Sequence, residues 1–193
     1  MIYSTAEARL DIFRQIFSPH EVELFLAIRN PAAFLPAMLK DTSFASVHEM
    51  MRGADYTALR WSDLIHRLRQ ALPGIPVTVW CNEDSPLIWP QIMRRIAAVD
   101  VPLAGEHDML GEIMIAEGFS RFETYMKAHP HLNAAQELRV MTEFLDKFAD
   151  EAAIEEVLDA PEWTDGIVEL MTARYDADLA LISAIEGVQV IQP

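Results

Sequence analysis

Hydrophobic and polar positions along the chain form two similar units, each of which predicts a strand followed by a helix. In the first, residues 21–31, a polar start becomes continuously apolar over 24–28 and stops at Arg29-Asn30-Pro31. A short apolar run between turn residues is typical of a buried strand of a parallel sheet. Pro31 cannot continue a central strand, but it can open a helix with Asn30 as the N-cap. The pattern therefore predicts that Arg29 lies at the carboxyl end of a strand, beside a helix N-terminus.

The second unit repeats this order about fifty residues later. Residues 75–81 are β-branched and aromatic, which favours a strand. This strand ends at Asn82-Glu83-Asp84, and a helix with Pro86 near its start is predicted through residue 98. Two strands separated by helices indicate a parallel pair with right-handed crossovers.

Apolar spacing of three and four residues predicts helices over much of the remaining chain. The segments concerned are from Ser4 or Thr5 to 17, 31–40, from Ser43 or Ser46 to 51, 59–71, 108–118 and beyond, 133–148, 150–159, and from Thr164 or Asp165 to 185. In the first of them Leu10, Phe13 and Phe17 share a face that we expect to be buried. Pro36 is expected to kink or shorten the second, because an interior proline removes a helical hydrogen bond. Residues 188–191 are expected to form a last edge strand.

These elements predict an α/β fold with a small, mostly parallel sheet flanked by many helices. The chain of 193 residues is expected to form a single domain, 1–193. Within it, residues 1–100 would be the α/β part and residues 101–193 a helix-dominated, acidic part.

Charge is distributed very unevenly. Residues 1–100 carry 10 Lys+Arg and 11 Asp+Glu, whereas residues 101–193 carry 5 and 19, and the whole chain has a net charge of −15. This excess argues against a nucleic-acid partner, because such binding depends on neutralising phosphates. The acidic half is then either a solvated helical surface or a docking face for a basic partner.

Cys81 is the only cysteine of the chain, so an intrachain disulfide is impossible. Together with the lack of a signal peptide or of an apolar stretch long enough to span a bilayer, this predicts a cytoplasmic protein without membrane association. Cys81 itself is expected to be an inert, buried side chain.

The two strand ends supply the candidate binding site. If the strands are parallel neighbours, Arg29 and Asn30 face the same crevice as Asn82, and two helix N-termini there would favour an anion. Arg29 would add a bidentate donor for phosphate, sulfate or carboxylate. The alternative is a structural role, in which Arg29 pairs with Glu83 or Asp84 and ties the strand ends together.

Other chemical motifs give no site. His129-Pro130-His131 is the closest histidine pair, but no further ligand follows at metal-binding spacing, so no metal is predicted. The seven glycines form neither a dinucleotide fingerprint nor a P-loop. No catalytic residue can therefore be named.

The order of these segments resembles the later half of the sulfotransferases. The resemblance is carried by Leu26–Pro31, by Arg60–Ile65, by Val77–Asp84 and by the helix from Trp163 to Leu181 with Tyr175 and Asp178. The whole chain is also similar to marine α-proteobacterial proteins that are remote relatives of that family. The resemblance implies an incomplete sulfotransferase-like three-layer domain of the P-loop type.

The resemblance also implies what is missing. The family holds its donor, 3′-phosphoadenylyl sulfate, on an N-terminal P-loop, so this chain would start after that segment, as a truncated product or through loss. The Arg of the family's Arg-x-Pro turn binds the 3′-phosphate with a Ser eight residues on; Arg29 fits the first role, but Ala37 occupies the second position. We therefore expect no cofactor and no sulfate transfer by this chain alone.

Three functions stay open from the sequence. The first is a degenerate sulfotransferase-like domain that binds a small anionic molecule at its strand ends. The second is a non-enzymatic interaction domain that uses its acidic helical face, and the third is the C-terminal part of a sulfotransferase. A missing first strand would leave a sheet edge unpaired, so we also predict a homodimer or a segment folded over that edge.

Overall fold

The computed structural model describes residues 3–154, 160 and 162–193. Their helices, numbered in chain order, are α1 (Ala6–Ile16), α2 (Pro31–Lys40), α3 (Val47–Met50), α4 (Trp61–Ala71), α5 (Ser85–Ala97), α6 (Asp108–Gly111), α7 (Ala116–Ala128), α8 (Ala134–Phe148), α9 (Glu151–Ile154) and α10 (Asp165–Ser183). The strands are β1 (Leu24–Ile28), β2 (Val77–Cys81) and β3 (Val188–Ile191), and short 3-10 turns cover Tyr56–Ala58 and Asn82–Asp84.

The three strands form one small parallel sheet in the order β1-β2-β3. This confirms the predicted α/β class with a small parallel sheet and many helices. β2 lies in the centre, and its first four residues are buried. The prediction that residues 24–28 form a buried strand is wrong, because β1 has β2 as its only neighbour within the described residues and only Ile28 is buried.

The described residues group into two compact units. The first contains the residues up to Trp80 and those from Ala160 to Val190, and the second contains Cys81–Ile154 with the last three residues. The prediction of a single domain stays a prediction, because compactness alone does not define an independently folding domain.

Helix α2 contributes to a core of the first unit, in which Ala32 and Leu35 pack with Val47 and Met171. Asn30 caps this helix by accepting a hydrogen bond from the backbone N–H of Ala32 (3.0 Å), as the sequence predicts. Local capping signals of this kind are specific because they depend on only a few neighbouring residues.

Pro36 does not shorten α2, which continues to Lys40. A proline at this position has no N–H to offer the carbonyl of Ala32, four residues earlier. The indole N–H of Trp163 donates to that carbonyl instead (2.7 Å). A tertiary contact thus replaces the helical bond that Pro36 removes.

The second unit has a core between α6, α7 and α8. Leu110, Met114, Phe122 and Met141 form its buried centre. The helix predicted to run from Asp108 beyond Gly118 is instead two helices, since α6 ends at Gly111 and α7 begins at Ala116. Of the acidic helix predicted over 150–159, the structure shows α9; residues 155–159 lie outside the described residues.

Helix α1 also differs from its prediction. None of its residues is buried, and Phe13 and Phe17, expected to face the core, are about half exposed. The periodicity therefore correctly predicted a helix with an apolar face, but the expectation that this face is buried was wrong.

Candidate functional site

Arg29 and Asn30 stand together at the carboxyl end of β1, as predicted. The side chain of Asn30 has a structural role: its carbonyl oxygen caps α2, and its amide donates to the hydroxyl of Thr172 (2.9 Å). The backbone carbonyl of Arg29 accepts a hydrogen bond from the indole N–H of Trp61 (2.8 Å). Both residues therefore help to join β1 and α2 to their neighbours in the first unit.

The second predicted group, Asn82, Glu83 and Asp84, belongs to the second unit and forms the 3-10 turn that follows β2. Asn82 and Glu83 are exposed, whereas Asp84 is half-buried. Burial raises the pKa of the Asp84 carboxyl. The shared anion crevice that would join this group to Arg29, and the alternative in which Arg29 pairs with Glu83 or Asp84, both stay predictions.

The N-terminus of α4 is closed by a buried carboxylate. Asp178, on α10, accepts hydrogen bonds from the backbone N–H groups of Trp61 (2.7 Å) and Ser62 (3.1 Å) and from the hydroxyl of Ser62. These contacts satisfy donors that a helix start otherwise leaves unpaired. The same carboxylate also occupies the place where an anionic ligand would meet this helix end.

A cavity of about 410 Å³ lies beside this helix start in the first unit. Its walls are mainly apolar and come from the stretch between α3 and the middle of α4. The apolar lining residues are Met51, Ala54, Ala58, Leu59, Trp61 and Leu64. Since Trp61 is bonded to the carbonyl of Arg29, the cavity wall is fixed to the carboxyl end of β1.

Four charged side chains also line this cavity: Asp55, Arg60, Asp63 and Arg67. Asp55 is engaged by Thr57, whose hydroxyl and backbone N–H both donate to it, and the hydroxyl bond lowers the pKa of the Asp55 carboxyl. Arg67 pairs with Glu7 of α1 (3.2 Å). Arg60 is exposed, and no hydrogen bond or ion pair of its side chain occurs within the described residues. Arg60 is thus the cation best placed to meet a ligand.

The second unit contains a buried network of charged side chains. Arg94 binds both carboxylate oxygens of Glu106, with distances of 2.7 and 3.0 Å. His107 donates to Glu137 (2.7 Å), whose other oxygen lies 3.7 Å from Arg94. Glu106 and Glu137 are only 5% and 7% exposed, so these contacts replace water for both carboxylates.

The network explains the direction of two pKa shifts. The hydrogen bond from His107 lowers the pKa of Glu137, and the charges of Arg94 and His107 add to this effect although burial opposes it. The hydrogen bond to Glu106 raises the pKa of Arg94, with burial again in opposition. Both groups are therefore held in their charged forms.

Glu106, His107 and Glu137 could in principle hold a metal ion, because one ligand atom from each lies within 4.8 Å of the others. However, the guanidinium of Arg94 already contacts both oxygens of Glu106. A metal would have to displace a bidentate ion pair, which is among the stronger contacts a carboxylate makes. The geometry is that of a closed structural network.

No motif in the sequence indicates this network. Glu106 and His107 are adjacent, but Glu137 follows 30 residues after His107 and no known ligand spacing links them. Of the histidine pair considered from the sequence, His129 has a local role, since it donates a hydrogen bond to the carbonyl of Tyr125 (2.8 Å) and stacks on the ring of that residue. Cys81 is half-buried.

Comparisons of this chain with protein-family models, with curated proteins and with solved structures found no match. A relationship to the sulfotransferases therefore stays a prediction from the sequence resemblance. Within the described residues, no helix has both the length and the apolar character required to cross a membrane.

Proposed function

We propose that this protein binds a small organic anion in the cavity beside the start of α4. The observation that carries the proposal is the cavity itself, whose volume of about 410 Å³ falls within the range of known small-molecule sites. The apolar body of the ligand would pack against Leu59, Trp61 and Leu64. Its acidic group would meet Arg60.

The proposal keeps the predicted ligand class and moves the ligand away from Asn30 and Asn82. Asn30 is unsuited to a ligand because its amide caps α2 and bonds Thr172. The cavity is nevertheless close to the predicted position, since Trp61 connects its wall to the carbonyl of Arg29.

A fluorescent probe with an apolar body and a sulfonate, 8-anilinonaphthalene-1-sulfonate, tests this function. We expect saturable binding to the folded protein. Ala54→Phe would place a phenyl ring in the cavity and should weaken binding by at least about tenfold, which corresponds to about 1.4 kcal/mol. Ala128→Phe is the matched control, because Ala128 is exposed at the end of α7 and does not line the cavity.

A second comparison isolates the acidic group. Arg60→Gln should weaken the sulfonate probe by about tenfold, the value of one charge-assisted hydrogen bond. It should not change binding of the uncharged analogue N-phenyl-1-naphthylamine. Equal binding of the probe by the Ala54→Phe and Ala128→Phe proteins would contradict binding in the cavity. Equal effects of Arg60→Gln on the two probes would contradict the contact between Arg60 and an acidic group of the ligand.

The sulfotransferase-like alternative is supported by the turn that carries the resemblance. Arg29-Asn30-Pro31 follows a strand of a parallel sheet and opens a helix. In this alternative adenosine 3′,5′-bisphosphate, but not sulfate, would raise the unfolding temperature of the protein, and Arg29→Ala would abolish the shift. A shift that survives Arg29→Ala would exclude this alternative.

A further inference from the structure

Helix α1 presents an apolar face that nothing in the described chain covers. Ile12, Phe13, Ile16 and Phe17 are 56%, 52%, 66% and 48% exposed. Their spacing places all four on one side of the helix. The rings of Phe13 and Phe17 lie almost parallel, with their centres 6.2 Å apart, so they form one continuous part of this surface.

The charges around this face are compensated within the chain. Asp11 accepts hydrogen bonds from Arg14 and Gln15, and Glu7 pairs with Arg67. Arg9 is the remaining charged residue of α1, which therefore has two acidic and two basic side chains. The apolar face has a rim that is close to neutral.

The balance of charge on α1 indicates which kind of partner fits its apolar face. A strongly basic partner would need an acidic rim for complementarity. An anionic bilayer would favour a face bordered mainly by Lys and Arg, whereas α1 carries as many acidic as basic side chains. A second copy of α1 needs neither feature, because a helix with two acidic and two basic side chains is complementary to an antiparallel copy of itself.

We propose that two copies of this protein associate through the apolar faces of their α1 helices, packed antiparallel about a two-fold axis. In such an isologous contact each surface meets its own copy, and a residue near the axis meets its counterpart. Phe13, near the middle of the face, is that residue. In this proposal the contact surface of the homodimer is α1, whereas the sequence led us to expect the sheet edge. The proposal is independent of ligand binding in the cavity.

Two opposite charge substitutions test this symmetry. Phe13→Asp and Phe13→Lys each bring like charges together at the axis, so each variant alone should sediment as a monomer at concentrations where the unmodified protein is a dimer. An equimolar mixture should recover a heterodimer, which native mass spectrometry distinguishes by mass. Both variants should have the unfolding temperature that the unmodified protein shows when it is diluted until it is monomeric. The reason is that Phe13 is exposed in the single chain, so its substitution removes no buried contact there.

Ile96→Asp is the matched control, since Ile96 is an exposed apolar residue of α5. It should leave the dimer intact, and Phe13→Leu should retain it. A monomeric unmodified protein over a roughly hundredfold range of concentration would overturn the proposal. So would a mixture of the two variants that stays monomeric, or a loss of dimer in Ile96→Asp.

Discussion

Glu137 illustrates at the scale of one residue how burial and pairing oppose each other. Burial alone would favour the protonated carboxyl, but His107 and Arg94 hold its pKa below the ordinary value. A carboxyl whose pKa is lower in the folded than in the unfolded protein stabilises the fold above its unfolded pKa of about 4.3. This stabilisation is lost as the pH falls through the folded pKa.

We therefore predict that Glu137→Gln lowers the free energy of unfolding at pH 7 by about 1–2 kcal/mol, because a charge-assisted hydrogen bond is lost. As the pH falls from about 5 towards 2, the difference between the variant and the unmodified protein should shrink. Urea unfolding at a series of pH values measures it. Glu143→Gln, at an exposed position of the same helix, should follow the unmodified curve, and a constant difference for Glu137→Gln at all pH values would contradict the assignment.

At the scale of an element, α2 shows how a helix tolerates an interior proline. Trp163 supplies the N–H that Pro36 lacks, so the carbonyl of Ala32 remains bonded. Trp163→Phe keeps an aromatic ring but removes the donor, and we expect it to cost about 1–3 kcal/mol of stability.

A double-mutant cycle with Pro36→Ala tests whether this cost comes from the orphaned carbonyl. Alanine at position 36 can donate the normal helical hydrogen bond to Ala32, so Trp163→Phe should cost about 1 kcal/mol less in that background. Trp163 also stacks on Tyr56, and that contact is the same in both backgrounds. Its contribution to the free energy of unfolding therefore cancels in the cycle. Equal costs in both backgrounds would contradict the exchange of hydrogen bonds.

The same elements show what the sequence could predict. The predicted cap at Asn30 is present as a hydrogen bond, because the cap and its donor, Ala32, lie only two residues apart in the chain. The class of fold followed from strand and helix periodicity for the same local reason.

Contacts between residues far apart in the chain could not be predicted from the sequence. Nothing near Asp178 in the chain indicates that it caps a helix 117 residues earlier, and nothing near Trp163 indicates that it replaces a bond in α2. The apolar run of β1 was expected to be buried, but strand order decides burial, and β2 occupies the centre. The cavity and the network of Arg94 likewise depend on residues that only the fold brings together.

At the scale of the whole molecule, the net charge of −15 is the dominant electrostatic fact. Like charges at this density repel each other and destabilise the compact state, and salt screens that repulsion. Raising NaCl from about 20 to about 300 mM should therefore raise the unfolding temperature by about 2–4 °C, if about 1 kcal/mol of repulsion is relieved.

Magnesium provides the control for specific binding. At equal ionic strength MgCl₂ should have the same effect as NaCl, because Arg94 already neutralises Glu106 in the buried network. A larger shift with MgCl₂ that Glu106→Gln removes would show that the network can take up a divalent ion.

The strand order has a consequence for synthesis on the ribosome. β2 is complete at Cys81, but its second neighbour, β3, begins only at Val188. At about 5–20 residues per second, the central strand of the nascent chain waits about 5–20 s with one edge unpaired. During this interval the apolar strand is a template for pairing with another nascent chain. Protein yield in the cell should therefore depend on how well chaperones shield this edge until β3 has been synthesised.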